Sequence, residues 1–181
     1  LLNSCLVFKL LKKLGYEERI SFAAALIFTV HPELTQAVVW IPGRTDAFLA
    51  LWILLSFLNF LNFLERGKRP YGWTSFCFHI IFWIAALLVK ETAIALPFLC
   101  LAYWFMIFKG VRRNEKVFFS FLIWGFGAAL WFFVRKQVLP QAALIPSDAA
   151  LATVVENVPS LISYLGKIIF PLFKNTQFFW I

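Results

Sequence analysis

Residues 47–64 read AFLALWILLSFLNFLNFL: eighteen positions without a charge, set between Asp46 and the charged run Glu65-Arg-Gly-Lys-Arg69. A helix needs about 20 apolar residues to cross a hydrocarbon core about 30 Å thick, so this stretch, with its flanks, is a membrane span. The rest of the chain has the same character. It is 62% hydrophobic and 14% charged, with a mean hydropathy of +0.81, whereas soluble domains are nearer half apolar and a quarter charged. These values place the chain in the membrane class before any motif is considered.

To the N-terminal side, residues 1–14 read as the second half of a membrane helix whose end is rimmed by Lys9, Lys12 and Lys13, followed by a charged turn from Gly15 to Arg19. Ile20 to Val30 is apolar but short for a span, and a helix starting near Glu17 is expected to stop at His31-Pro32, below the membrane surface. Irregular backbone at that depth is tolerated where it is buried in protein or lines a wet cavity. To the C-terminal side, Thr74–Val89 and Thr92–Phe108 are apolar and Lys90-Glu91 interrupts them. One helix from 74 to 108 would be about 52 Å long at ~1.5 Å per residue, too long for the core, so the chain is expected to reverse at Lys90-Glu91. Val117–Val134 is a further span ending at Arg135-Lys136. Pro140–Glu156 reads as a loop region, and Val154–Phe173 as a span or a short, partly re-entrant helix. The fold class is all-α, a polytopic helical membrane bundle of about seven helices.

The net charge of +8 does not point to nucleic acid, because the basic residues sit in short clusters between apolar runs. Segments 9–19, 66–69 and 109–116 hold four, three and four Lys or Arg, while 31–46, 90–91 and 135–136 hold one, one and two. The positive-inside rule makes the first set cytoplasmic and the second non-cytoplasmic. His31, Glu33, Arg44, Asp46, Lys90 and Glu91 then share the non-cytoplasmic side. Charged groups at membrane depth cost roughly 2.5–3.5 kcal/mol each on insertion scales, which marks them as functional candidates.

Each candidate also has a structural explanation. In that explanation Arg44 and Asp46 only pair with each other and cap the following helix. Lys90-Glu91 is then a polar turn, and His31 a helix cap. In the functional reading, Arg44 grips a phosphate with its planar fork, Lys90 contacts an anion, and His31 with Glu33 ligates a divalent metal alongside a third group. His79, inside an apolar run, reads as a packed histidine. Cys5, Cys77 and Cys100 lack any paired spacing and read as small buried hydrophobes. The Trp124-Gly-Phe-Gly127 sequence allows close helix approach. No nucleophile elbow, phosphate loop or zinc-protease motif is present.

Three segments carry a family resemblance. His31-Pro32-x-x-x-x-Ala37-Val38-x-Trp40-x-x-Gly43-Arg44-x-Asp46, then Leu88-Val89-Lys90-Glu91-Thr92-Ala93-Ile94-Ala95-Leu96-Pro97, then Ser163-Tyr164-Leu165-Gly166-Lys167-Ile168-Ile169-Phe170-Pro171 resemble, in this order, recurrent segments of the GT-C membrane glycosyltransferases. Among these, the likeness is to the O-mannosyltransferase-like proteins that carry tetratricopeptide repeats and to their bacterial relatives. The resemblance covers about residues 1–175 and treats 1–181 as one transmembrane domain fragment. It implies transfer of a mannose-like sugar from a polyprenyl-phosphate donor to a hydroxyl of a protein or glycan acceptor, at the non-cytoplasmic face. The donor and membrane lipid are the implied partners, with a divalent metal as the implied cofactor.

In the family the catalytic base is an aspartate in the first exoplasmic loop, which would precede residue 1. A start inside an apolar run without a Met fits a piece of a longer protein. Where many relatives have His-Pro-x-His-x-Glu, this chain has Leu34 and Gln36, leaving Glu33 as the nearby carboxylate. Arg44 and Lys90 would contact the donor phosphate, and His31, Glu33, Asp46 and Glu91 would line the same cavity. The membrane would be a bacterial cytoplasmic membrane or, in a eukaryote, the endoplasmic reticulum. A transporter or flippase-like protein for a lipid-linked substrate, or a non-catalytic scaffold, would use the same layout. An aspartate upstream would favour the enzyme.

Overall fold

A computed structural model describes residues 1–31, 43–65, 70–108 and 114–138. These residues form six α-helices and one 3-10 segment: α1 Leu2–Lys13, α2 Glu18–Val30, α3 Arg44–Glu65, α4 Pro70–Val89, the 3-10 segment Glu91–Ala95, α5 Leu96–Met106 and α6 Asn114–Val138. Three stretches, Arg44–Glu65, Gly72–Val89 and Val117–Gln137, are long and apolar enough to cross a membrane. The protein is an all-helical membrane protein over this region. The segment expected at 154–173 and the loop at 140–156 lie outside the described residues.

Local chemistry sets the helix ends. α1 stops in a Schellman turn: Gly15 has φ +94°, its N–H bonds Lys12 O at 3.1 Å, and the N–H of Tyr16 bonds Leu11 O at 3.2 Å. Glycine adopts this left-handed geometry without the Cβ penalty. Lys12 and Lys13 in the last turn complement the negative end of the helix dipole. α2 ends at His31, whose backbone is extended at φ −63°, ψ 124°, as expected of a residue preceding proline. Pro70 opens α4, where its missing N–H costs nothing.

The expected reversal is present at Lys90, whose φ of −157° and ψ of 139° break the helix. The chain resumes in a 3-10 turn and enters α5 with Pro97 in its first turn. Because Pro97 cannot donate a backbone bond, a regular helix can begin only around it. The turn is fastened to α4 by Trp83, whose Nε1 donates to Ala93 O at 3.1 Å.

The helices alternate in direction. α3 and α4 are antiparallel, as Trp52 stacks on Phe82, while Phe60 packs at a tilt against His79 and Phe63 against Phe76. α5 returns alongside α3, with Tyr103 edge-on to Phe57. α6 runs parallel to α4, because Phe119 meets Trp73 and Trp124 meets His79. α1 runs parallel to α3, from Asn3 bonded to Ala47 O to Lys13 paired with Glu65. Outward faces remain apolar: Phe98, Phe126 and Leu88 are at least 70% exposed, a surface suited to lipid and costly in water.

Two sequence expectations change. Cys100 is buried, but Cys5 and Cys77 are exposed on the helix surface. A membrane helix is apolar on its lipid face as well as its packed face, so an apolar run does not show which of its residues are enclosed. The close approach expected of Trp124-Gly-Phe-Gly127 belongs to one glycine. A Cβ on Gly127 would sit 2.8 Å from the Trp83 ring, whereas one on Gly125 meets nothing within 4 Å. Gly127→Ala is therefore expected to lower thermal stability by about 1–3 kcal/mol through overpacking. Gly125→Ala should leave it unchanged or slightly raised, since alanine favours helix over glycine. Melting of the two variants in the same lipid checks the contrast.

Candidate functional site

At one end of the bundle the start of α3, the break after α4 and the last turn of α6 come together. Lys90 Nζ lies 2.6 Å from Asp46 Oδ1, and these side chains are 43% and 52% exposed. Beside them Arg135 donates to Glu91 Oε2, and its guanidinium lies over the Trp131 ring, 4.9 Å from the centroid. The hydrogen bond from Arg135, reinforced by the positive charge of the guanidinium, holds the Glu91 carboxyl below its ordinary value. The result is a strip of alternating charge with an aromatic support.

Three of the six expected site residues, Asp46, Lys90 and Glu91, are thus gathered by observed contacts. Arg44 occupies the first position of α3 and is exposed. It forms no ion pair among the described residues. The alternative in which Arg44 and Asp46 only pair with each other is not observed: Asp46 pairs with Lys90, because residues i and i+2 point to different sides of a helix. Asp46 is in the first turn of α3, where a carboxylate also meets the positive end of the helix dipole. His31 is half-buried at the end of α2. Glu33 lies outside the described residues, so the expected His31–Glu33 metal pair falls outside them too. Among the described residues, no three His, Cys, Asp or Glu side chains gather as metal ligands.

Arg135 is the residue sequence reasoning missed. In the sequence it stands only as one of two basic residues closing a span. The available signal was that Arg135 and Glu91 both end apolar runs on the same expected side.

Beneath this end lies a buried polar cluster. His79, fully enclosed, accepts at Nε2 from Trp124 Nε1 at 2.9 Å. Its proton is therefore on Nδ1, which faces the Ser56 carbonyl at 3.0 Å and Ser56 Oγ at 2.8 Å. Ser56 Oγ in turn donates to the His79 carbonyl at 2.8 Å. Phe60 and Phe76 pack around the imidazole. The packed histidine expected from sequence is thus the tie between α3, α4 and α6.

Comparison with known proteins places the sequence among relatives. The chain is 34% identical over 104 residues to protein O-mannosyl-transferase TMTC1 of Mus musculus, covering 54% of this chain and 11% of that protein. It is 37% identical over 90 residues to TMTC1 of Homo sapiens, covering 46% and 10%. To Tmtc1 of Drosophila melanogaster it is 30% identical over 151 residues, covering 75% and 17%. No family model and no solved structure matches.

Fold and site define a helical membrane protein with an ion-paired polar strip at one end of its bundle. In sequence, the chain is a relative of the protein O-mannosyl-transferases of the TMTC group. It spans only about a tenth to a sixth of the length of the relatives it matches.

Proposed function

We propose that this chain is a multi-pass segment, of about seven helices in all, of a GT-C-type membrane mannosyltransferase. The full-length protein would transfer mannose from a polyprenyl-phosphate carrier to a hydroxyl on a protein or glycan acceptor. The reading rests on the Lys90–Asp46 contact at 2.6 Å, which joins two of the motif segments across 44 residues of chain. The relatives' names and the scarcity of Lys and Arg in the segments meeting at this end support it. By the positive-inside rule this end faces away from the cytoplasm.

In this reaction the acceptor oxygen attacks the anomeric carbon. The bond from that carbon to the carrier phosphate breaks, and the phosphate leaves with the electron pair. The acceptor proton passes to a carboxylate expected upstream of residue 1. The step is limited by negative charge building on the departing phosphate, which preorganised cations stabilise. Arg44 supplies a two-pronged donor and Lys90 a point charge. Asp46 positions the Lys90 ammonium until phosphate displaces it. Glu91 holds Arg135 at the rim, and His31 with Glu33 would orient the sugar or hold a divalent metal. When bound, such a metal would add further positive charge beside the phosphate.

The size of two effects provides the test. A half-exposed ion pair contributes only about 0.2–1 kcal/mol to stability. Lys90→Ala in the full-length protein is therefore expected to melt close to wild type yet lose at least ~10-fold in transfer from polyprenyl-phosphate mannose, since a charge-assisted contact contributes about 1.5–3 kcal/mol. Wild-type transfer by Lys90→Ala, measured in membranes with matched expression, would refute the role given to it.

A further inference from the structure

At the opposite end of the bundle, α1 and α3 line an open groove of about 430 Å³, formed by Leu6, Lys9, Lys12, Lys13, Leu55, Leu58, Asn59 and Asn62. Its lining is graded. Lys12, Lys13 and Asn62 lie in the last turns of their helices, whereas Leu6 and Leu55 lie one to three turns deeper. Lys12 and Lys13 pair with Glu18 at 3.1 Å and Glu65 at 2.7 Å. Neither acid lines the groove. Lys9, exposed, makes no salt bridge among the described residues, and half-buried Asn62 makes no side-chain hydrogen bond among them. The sequence adds Arg66, Lys68 and Arg69 immediately after Glu65.

We infer that this groove binds an anionic phospholipid, with the headgroup phosphate among Lys9, Lys12, Lys13 and Asn62 and the start of an acyl chain along Leu6, Leu55 and Leu58. A free anion would need the cations but not the apolar floor, and a neutral lipid would need the floor but not the cations. Basic pockets between membrane helices hold anionic headgroups by this combination. The site is independent of the polar strip at the other end.

The test uses the full-length protein reconstituted in nanodiscs of phosphatidylcholine doped with phosphatidylglycerol, with retained lipid counted by native mass spectrometry. Wild type is expected to retain phosphatidylglycerol over phosphatidylcholine. Lys9→Gln with Asn62→Leu should lower that preference about fivefold or more, the attraction one near-surface lysine has for an anionic lipid, with an unchanged melting temperature in pure phosphatidylcholine. Should the double variant melt lower, Lys9→Gln alone, at an exposed position, should still show the loss. Equal retention of both lipids by wild type would overturn the inference. So would undiminished preference in Lys9→Gln, or displacement of the lipid by millimolar inorganic phosphate.

Discussion

Arg44→Ala is expected to reduce mannose transfer from a polyprenyl-phosphate donor by about 10²- to 10³-fold, the loss that follows removal of one preorganised donor to a developing anion. Expression and melting should stay near wild type, because Arg44 is exposed and tied to no ion pair among the described residues. Arg44→Lys should recover only part of the rate, since an ammonium lacks the planar fork that meets two phosphate oxygens at once. The measurement is initial transfer rate in membranes from cells expressing the full-length protein, normalised to protein amount. Wild-type transfer by Arg44→Ala would remove Arg44 from the reaction.

The second large effect concerns stability. His79→Ala removes a fully buried imidazole and leaves the Trp124 indole N–H without its acceptor and Ser56 without its ring partner. Leaving a buried polar group unsatisfied costs about 1–3 kcal/mol, and the void left by a large side chain adds a comparable amount. A loss of about 3–5 kcal/mol is expected, seen as a melting temperature lowered by many degrees. His79→Leu fills the space and should recover the cavity part only. A melting curve for His79→Ala that overlays wild type would show that the cluster does not hold α3, α4 and α6 together.

These two residues also show what a sequence can and cannot disclose. Helix positions were legible because length alone is diagnostic in a bilayer: no helix from 74 to 108 fits, so the break at Lys90 followed. The end of α2 at His31 followed from Pro32. The partner of Asp46 was not legible, because Arg44 was nearer along the chain and only the packing of α3 against α4 brings Lys90 closer in space. Arg135 was overlooked for the same reason, its partner being 44 residues away. His79 was recognised as packed, yet its role depended on Ser56 and Trp124 lying at matching depths in neighbouring helices. Three successive spans, each with a hydrogen-bonding residue near mid-length, was the clue. The surface positions of Cys5 and Cys77 had no counterpart in composition, since lipid-facing and protein-facing sides are both apolar.

Both ion pairs at the polar end join an acid to a base 44 positions further on. On a ribosome the order has a meaning: Asp46 emerges before Lys90, and Glu91 before Arg135. A nascent chain arrested after Val89 holds an acid still waiting for its base, and one arrested before Arg135 repeats that state a hairpin later. Each of these acids therefore finds its base only once the hairpin that follows it, α3–α4 and then α5–α6, has been made.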